Sequence, residues 1–154
     1  MRILAIVLVV AAGAAGEAVA ATLPGVRTPS RNISCFWVPL RKTVTSSITP
    51  ETRGNLLCDV KQASYLDAEQ NGCQARAGLD WHGYELLWNR RAKPVCSGGI
   101  LYDTGRDRPV FKLLAYGRRW RYRRFTCISR LTGLNCTNRI GHGLLLSGEL
   151  RRLW

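Results

Sequence analysis

Phe125-Thr-Cys-Ile-Ser-Arg-Leu-Thr-Gly-Leu-Asn-Cys-Thr-Asn-Arg-Ile-Gly-His-Gly-Leu-Leu-Leu-Ser147 is the stretch on which the fold turns. It reads as two short strands, each holding one cysteine, joined by a turn at Thr132-Gly133. Eight residues separate Cys127 from Cys136. A hairpin of that length brings its arms within disulfide range, because Cα atoms about 4.4–6.8 Å apart can be bridged. A third apolar strand, Leu144 to Leu146, follows the Gly141-His142-Gly143 bend.

Directly upstream, Gly117 to Phe125 reads Gly-Arg-Arg-Trp-Arg-Tyr-Arg-Arg-Phe, with five arginines in seven residues. Alternate side chains of a strand share a face. Read as one strand, the segment turns Arg119, Arg121 and Arg123 to one side and Arg118, Trp120, Tyr122 and Arg124 to the other. Guanidinium groups pair with phosphate, sulfate or carboxylate, so the row is a candidate polyanion-binding site. A plainer role is also open: charge on an edge strand deters edge-to-edge pairing, with Trp120 and Tyr122 in the core. Further upstream, Val110 to Tyr116 is broken only by Lys112 and reads as a buried strand ended by Gly117.

The six cysteines, at 35, 58, 73, 96, 127 and 136, are even in number. In an exported domain such a set implies three disulfides. Sequence alone leaves 15 pairings open. Chain organisation favours nearest neighbours, Cys35–Cys58, Cys73–Cys96 and Cys127–Cys136, since each pair brackets its own strand-turn-strand unit. The absence of Cys-x-x-Cys and the scattered histidines argue against zinc, and no metal or cofactor is expected.

Export is read from the N-terminus. Arg2, the apolar run from Ile3 and the small-x-small site Ala18-Val19-Ala20 match a signal peptide over residues 1–20. Its apolar part is shorter than the roughly 20 residues that span a bilayer. The expected location is secreted or periplasmic. Removing Arg2 and Glu17 from 23 basic and 10 acidic residues leaves 22 and 9, and the net charge stays +13. That balance favours anionic partners and says nothing about fold.

Ala21 to Arg31, with Pro24, Gly25 and Pro29, reads as a linker leading into one domain over residues 32–154. Strands are expected at Ile33–Val38, Leu56–Lys61, Tyr84–Trp88 and Val95–Tyr102, the last with a bulge at Gly98-Gly99. Arg41–Arg53 reads as a surface loop, Leu79–Gly83 as turn-like, Asn89–Pro94 as a basic turn and Asp103–Pro109 as a charged one. Ser64 to Gln70 allows one or two helical turns, opened by a Ser64/Asp67 capping pattern and closed by Asn71-Gly72. Strands recurring about every ten residues, with Gly or Pro between, indicate a mainly β fold. The expected architecture is a small disulfide-stapled antiparallel sandwich or barrel with at most one short helix.

Two function classes follow. One is a non-enzymatic exported module that binds a polyanion (nucleic acid, lipopolysaccharide or acidic polysaccharide) through Arg118, Arg119, Arg121, Arg123 and Arg124. The other is a small secreted hydrolase such as a ribonuclease, in which two histidines and a cation share acid–base work. His82 and His142 are the only histidines. Nothing in the sequence brings them together, and no Gly-x-Ser-x-Gly elbow offers a serine nucleophile. No catalytic residue is therefore assigned.

The series Pro29-Ser30-x-Asn32-Ile33-x-Cys35, Cys58-Asp59, Asp80-Trp81-x-Gly83, Leu114-x-Tyr116-Gly117, Phe125-x-Cys127-x-Ser129, Gly133-Leu134-x-Cys136-x-Asn138 and Gly141-His142-Gly143 with Leu146-Ser147 resembles a family of small secreted six-cysteine bacterial proteins. That family is classed as a domain of unknown function, so the resemblance implies no catalytic or ligand residues. Two departures stand out. Gly98-Gly99-Ile100 stands where the pattern has Gly-Asp-Thr, and Arg123 where it has glycine.

Overall fold

A computed structural model describes residues 21–40, 54–99 and 107–154. The expected leader and the Arg41–Arg53 loop lie outside the described residues, as does the end of the Val95–Tyr102 segment. The elements run β1 (Ala21–Arg27), β2 (Ile33–Pro39), β3 (Gly54–Val60), α1 (Leu66–Ala77), β4 (Asp80–Leu86) and β5 (Ala92–Ser97). They continue with β6 (Asp107–Leu113), β7 (Arg119–Tyr122), β8 (Phe125–Arg130), β9 (Gly133–Asn138), β10 (Gly143–Leu146) and β11 (Arg151–Leu153). The strands form two open sheets, one six-stranded in the order β5-β4-β3-β2-β1-β6, the other five-stranded in the order β11-β10-β9-β8-β7. The fold is mainly β, as the strand spacing implied, and it is a sandwich rather than a barrel.

Period-two alternation builds the core. Ile33, Cys35 and Trp37 of β2 and Leu56, Cys58 and Val60 of β3 turn one way. They meet Phe125 and Cys127 of β8, Leu134 and Cys136 of β9, and Leu144 and Leu146 of β10, in one buried cluster. Burying a large apolar side chain stabilises by about 1.5–3 kcal/mol, so this cluster dominates the fold. All three expected disulfides are present and no cysteine is free. Cys35 faces Cys58 across β2–β3, and Cys127 faces Cys136 across β8–β9. These two bridges come from opposite sheets and meet at the centre: the sulfurs of Cys35, Cys58 and Cys136 lie within 4.8 Å of one another. All three sulfurs are tied up in disulfides, so the cluster is a packing feature and not a thiolate metal site.

Several elements differ from the sequence reading. Ala21–Arg27 is not a linker but strand β1, inside the six-stranded sheet, antiparallel to β2 and parallel to β6. Pro24 and Gly25 read as breakers, yet Pro24 lies before the β1–β2 ladder, which begins at Gly25 opposite Phe36. Gly25 is needed for close approach: a Cβ there would stand 2.6 Å from the Cys35 carbonyl oxygen. The parallel β1–β6 pair also departs from a purely antiparallel sandwich. β6 is an edge strand, and its apolar run is only partly covered, with Val110 46 % and Leu113 66 % exposed. The irregularity expected at Gly98-Gly99 falls instead on β4, between Trp81 and Tyr84.

The helix is longer than expected. It passes through Asn71-Gly72 and ends at Gly78, whose left-handed conformation lets its N–H donate to the Gln74 carbonyl. Ser64 does not cap it; the Ser64 hydroxyl donates to the Glu149 carbonyl instead. Tertiary ties hold α1: Cys73–Cys96 to β5, the buried Glu69 carboxylate to the Arg151 guanidinium, and the Tyr65 hydroxyl to the Ser147 carbonyl. Burial pushes the Tyr65 hydroxyl up to about 12, and Arg151 only partly opposes this. Burial, with Tyr65 beside it, also raises Tyr84.

Candidate functional site

β7 is the edge strand of the five-stranded sheet, paired with β8 from Arg119–Ile128 to Tyr122–Phe125. Its alternation is the expected one. Arg119 and Arg121 are exposed, while Trp120 and Tyr122 are half-buried against the core. The two rings stack with centroids 5.8 Å apart, and Tyr122 meets Trp37 of β2 edge-on at 5.4 Å.

The strand stops at Tyr122, however, and Arg123-Arg124 form a two-residue turn into β8. Arg123 therefore does not extend the solvent-facing row. Its guanidinium carbon sits 5.7 Å from the Trp37 ring centre and 5.6 Å from that of Tyr122. Arg124 sits 5.4 Å over Trp88. The run is thus split by function: two arginines cover aromatic rings, and Arg118, Arg119 and Arg121 with Gly117 line a shallow open hollow. No carboxylate pairs with Arg118, Arg119 or Arg121 among the described residues.

Arg123 has φ +53°, the left-handed region that glycine occupies freely. Glycine, which the resemblance implies at that place, would adopt this conformation without strain. A non-glycine residue there costs about 1–2 kcal/mol, against about 0.5–1 kcal/mol from an exposed cation–π contact. Arg123→Gly should therefore melt at or slightly above the native temperature, and Arg123→Ala below both. Thermal unfolding of the three proteins checks this; an alanine variant as stable as the glycine one would remove the backbone argument.

Other charged groups among the described residues are committed or dispersed. Lys93 pairs with Glu85 at 3.4 Å, and Arg151 with Glu69. Arg90 and Arg91 are exposed in the β4–β5 turn. The histidines stand on different sheets. His82, on β4, places Nε2 3.1 Å from the Ser97 carbonyl oxygen. His142 precedes β10 and is held by its backbone N–H, which donates to Asn138 Oδ1 at 3.0 Å. Neither ring is bonded to a carboxylate or hydroxyl among the described residues.

Sequence reading missed the residue that organises the β9–β10 turn. Asn138 is buried, its Nδ2 donating to the carbonyls of Leu87 (2.9 Å) and Arg90 (3.2 Å) and its Oδ1 accepting from Ile140 (3.1 Å) and His142 (3.0 Å). The side chain thus pins the turn of one sheet to the β4–β5 turn of the other. The signal was available: an asparagine two residues after an inward cysteine on a strand is itself inward, and an inward amide requires partners.

Two disulfides packed between open sheets, with a helix tied to both, define a small disulfide-stapled β-sandwich. The chain belongs to DUF6636, a family of unknown function, which matches residues 2–154. No curated protein and no solved structure matches it. Three disulfides fit an extracellular or periplasmic protein, and among the described residues no helix is long and apolar enough to cross a membrane.

Proposed function

We propose that the chain is an exported, non-enzymatic module that binds polyanions through Arg118, Arg119 and Arg121. The observation that carries this reading is local charge without local neutralisation. These three side chains line one open hollow and have no carboxylate partner among the described residues. The same stretch of the chain, residues 115–154, holds nine arginines and one acidic residue, Glu149. The signal-peptide pattern and the disulfides support export. The hydrolase alternative draws no support from His82 and His142, whose bonds are to backbone and side-chain amide groups.

Binding of this kind rests on counterion release and weakens steeply with salt. The native protein should be retained on heparin and on single-stranded DNA resin at low salt and released at roughly a few hundred millimolar. Replacing Arg118, Arg119 and Arg121 with serine should cut affinity at least about tenfold at low salt and flatten its salt slope. Exposed substitutions of this sort change stability by no more than about 0.5 kcal/mol. Unchanged affinity in the triple variant would assign binding to diffuse net charge; no retention of the native protein would end the proposal.

A further inference from the structure

Arg119 and Arg121, which line the hollow, stand on the outer face of the five-stranded sheet, opposite the core-facing Trp120 and Tyr122. The strand registers fix what that face presents. One row crosses the strands as Arg119, Ile128, Asn135, Leu145 and Arg152. The next runs Arg121, Thr126, Thr137 and Gly143, and the Trp154 ring covers the glycine. Gly143 makes room for that ring, because a Cβ there would lie 2.7 Å from Trp154 Cζ2. Trp154 Nε1 donates to the Gly141 carbonyl at 2.9 Å, which fixes the indole over the end of the row.

Neighbouring strands lie about 4.8 Å apart, so β7 to β11 spans about 19 Å. Arg119 and Arg121 stand at one border of the face and Arg152 at the other, and all three are exposed. Between them lie Thr126, Thr137 and Asn135, half-buried, with no side-chain hydrogen bond among the described residues. Their hydroxyls and amide are free to bond outward.

We propose that this face holds an extended acidic polysaccharide laid across the strands, its carboxylates at Arg119/Arg121 and Arg152 and its neutral hydroxyls on Thr126, Asn135 and Thr137. The proposal rests on the polyanion reading and narrows it to a ligand class. A sugar chain whose acidic groups are separated by hydroxylated stretches matches charge at the borders and neutral polar groups between. A nucleic acid bears a phosphate at every unit, and single strands gain about 1–3 kcal/mol per base from stacking on exposed rings. Among the described strand residues this face has one cation between its borders, Arg130 at the end of β8, and the Trp154 ring offers an apolar surface that suits a sugar ring as well as a base.

The test uses the full exported chain, with hyaluronate (in which acidic and neutral sugars alternate), neutral dextran and single-stranded DNA as probes, and binding followed by calorimetry at low salt. The variants are Arg152→Ser, on the far border from β7, and Thr137→Val, which keeps shape and charge and removes one hydroxyl. Hyaluronate should bind more tightly than DNA, and dextran weakly or not at all. Arg152→Ser should weaken hyaluronate binding about tenfold and Thr137→Val about threefold, from a charged and a neutral hydrogen bond respectively. Thermal unfolding of both variants must match the native protein for the comparison to count; as a second pair, Arg152→Lys and Thr137→Ser should largely restore binding. Tighter binding of DNA, with Thr137→Val neutral, would overturn the polysaccharide assignment in favour of nucleic acid. Hyaluronate binding lost in the β7 triple variant but untouched by Arg152→Ser and Thr137→Val would sink the platform and leave the polyanion reading standing. No binding of any anionic probe would end both.

Discussion

Replacing Cys127 and Cys136 together with alanine should lower stability by about 2–5 kcal/mol, enough to leave much of the chain unfolded at 37 °C. The size follows from where the bridge sits. Cys127 and Cys136 are fully buried, face each other across β8–β9, and pack on the Cys35–Cys58 bridge of the other sheet. Removing the sulfurs lifts a constraint on the unfolded chain and also leaves a gap where the two sheets touch. Small domains are stable by about 5–15 kcal/mol in all, so the loss is a large share. The Cys73–Cys96 pair offers the contrast. It ties α1 to β5, and α1 keeps its Glu69–Arg151 and Tyr65–Ser147 ties without it. Alanine at positions 73 and 96 should loosen the helix and spare the sandwich. Denaturant unfolding, with hydrogen exchange to locate the loss, separates the two. If the 73/96 variant proved the less stable, the central role of the stacked bridges would be wrong.

What could be read from the sequence was what local chemistry dictates. Cys127, Cys136 and the turn at Gly133 define a hairpin by spacing alone, and the inward placing of Trp120 and Tyr122 follows from alternation. What could not be read depended on remote pairing. Nothing local to Ala21–Arg27 announces that it lies beside Asp107–Leu113, more than eighty residues on. Its Pro24 and Gly25 look like breakers until the close approach to Cys35 is known. The helix fails the usual signals because no apolar stripe drives it; a disulfide and a buried ion pair hold it. Val110 to Tyr116 misled in the other direction, since an apolar run reads the same at a sheet edge as at its centre.

The candidate site was half legible. Five arginines between aromatics were plain, but the polar alternation runs straight through Arg123-Arg124 with no glycine to mark the turn. Only the backbone conformation separates the arginines that cap rings from those that face solvent. The polar row across β8 and β9 was hidden for a related reason. Thr126, Asn135 and Thr137 are unremarkable in the chain and become a surface only once register aligns them.

Register also explains what Cys136-x-Asn138 with Gly141-His142-Gly143 builds. These residues make a turn. The Asn138 backbone N–H donates to the His142 carbonyl at 2.8 Å, the Gly141 N–H donates to Asn138, and the amide side chain spends its remaining capacity on Leu87 and Arg90. Asn138→Ala should cost about 2–4 kcal/mol, because four backbone groups lose a partner and water reaches only some of them. That corresponds to a melting temperature lower by roughly 10 °C. Asn138→Asp makes the sharper test. The new carboxyl keeps the acceptor for Ile140 and His142 but turns a charged oxygen toward the carbonyls of Leu87 and Arg90. Repulsion and burial would raise its folded-state pKa above the unfolded value of about 3.9. A raised pKa means that stability is present below the unfolded value and lost as pH rises through the folded one. The deficit of Asn138→Asp relative to the native protein should therefore grow from pH 4 to neutrality and shrink on acidification, whereas that of Asn138→Ala should stay flat. Melting temperatures of the three proteins across that range decide it; an aspartate deficit independent of pH would mean that Asn138 does not face the two carbonyls as a donor.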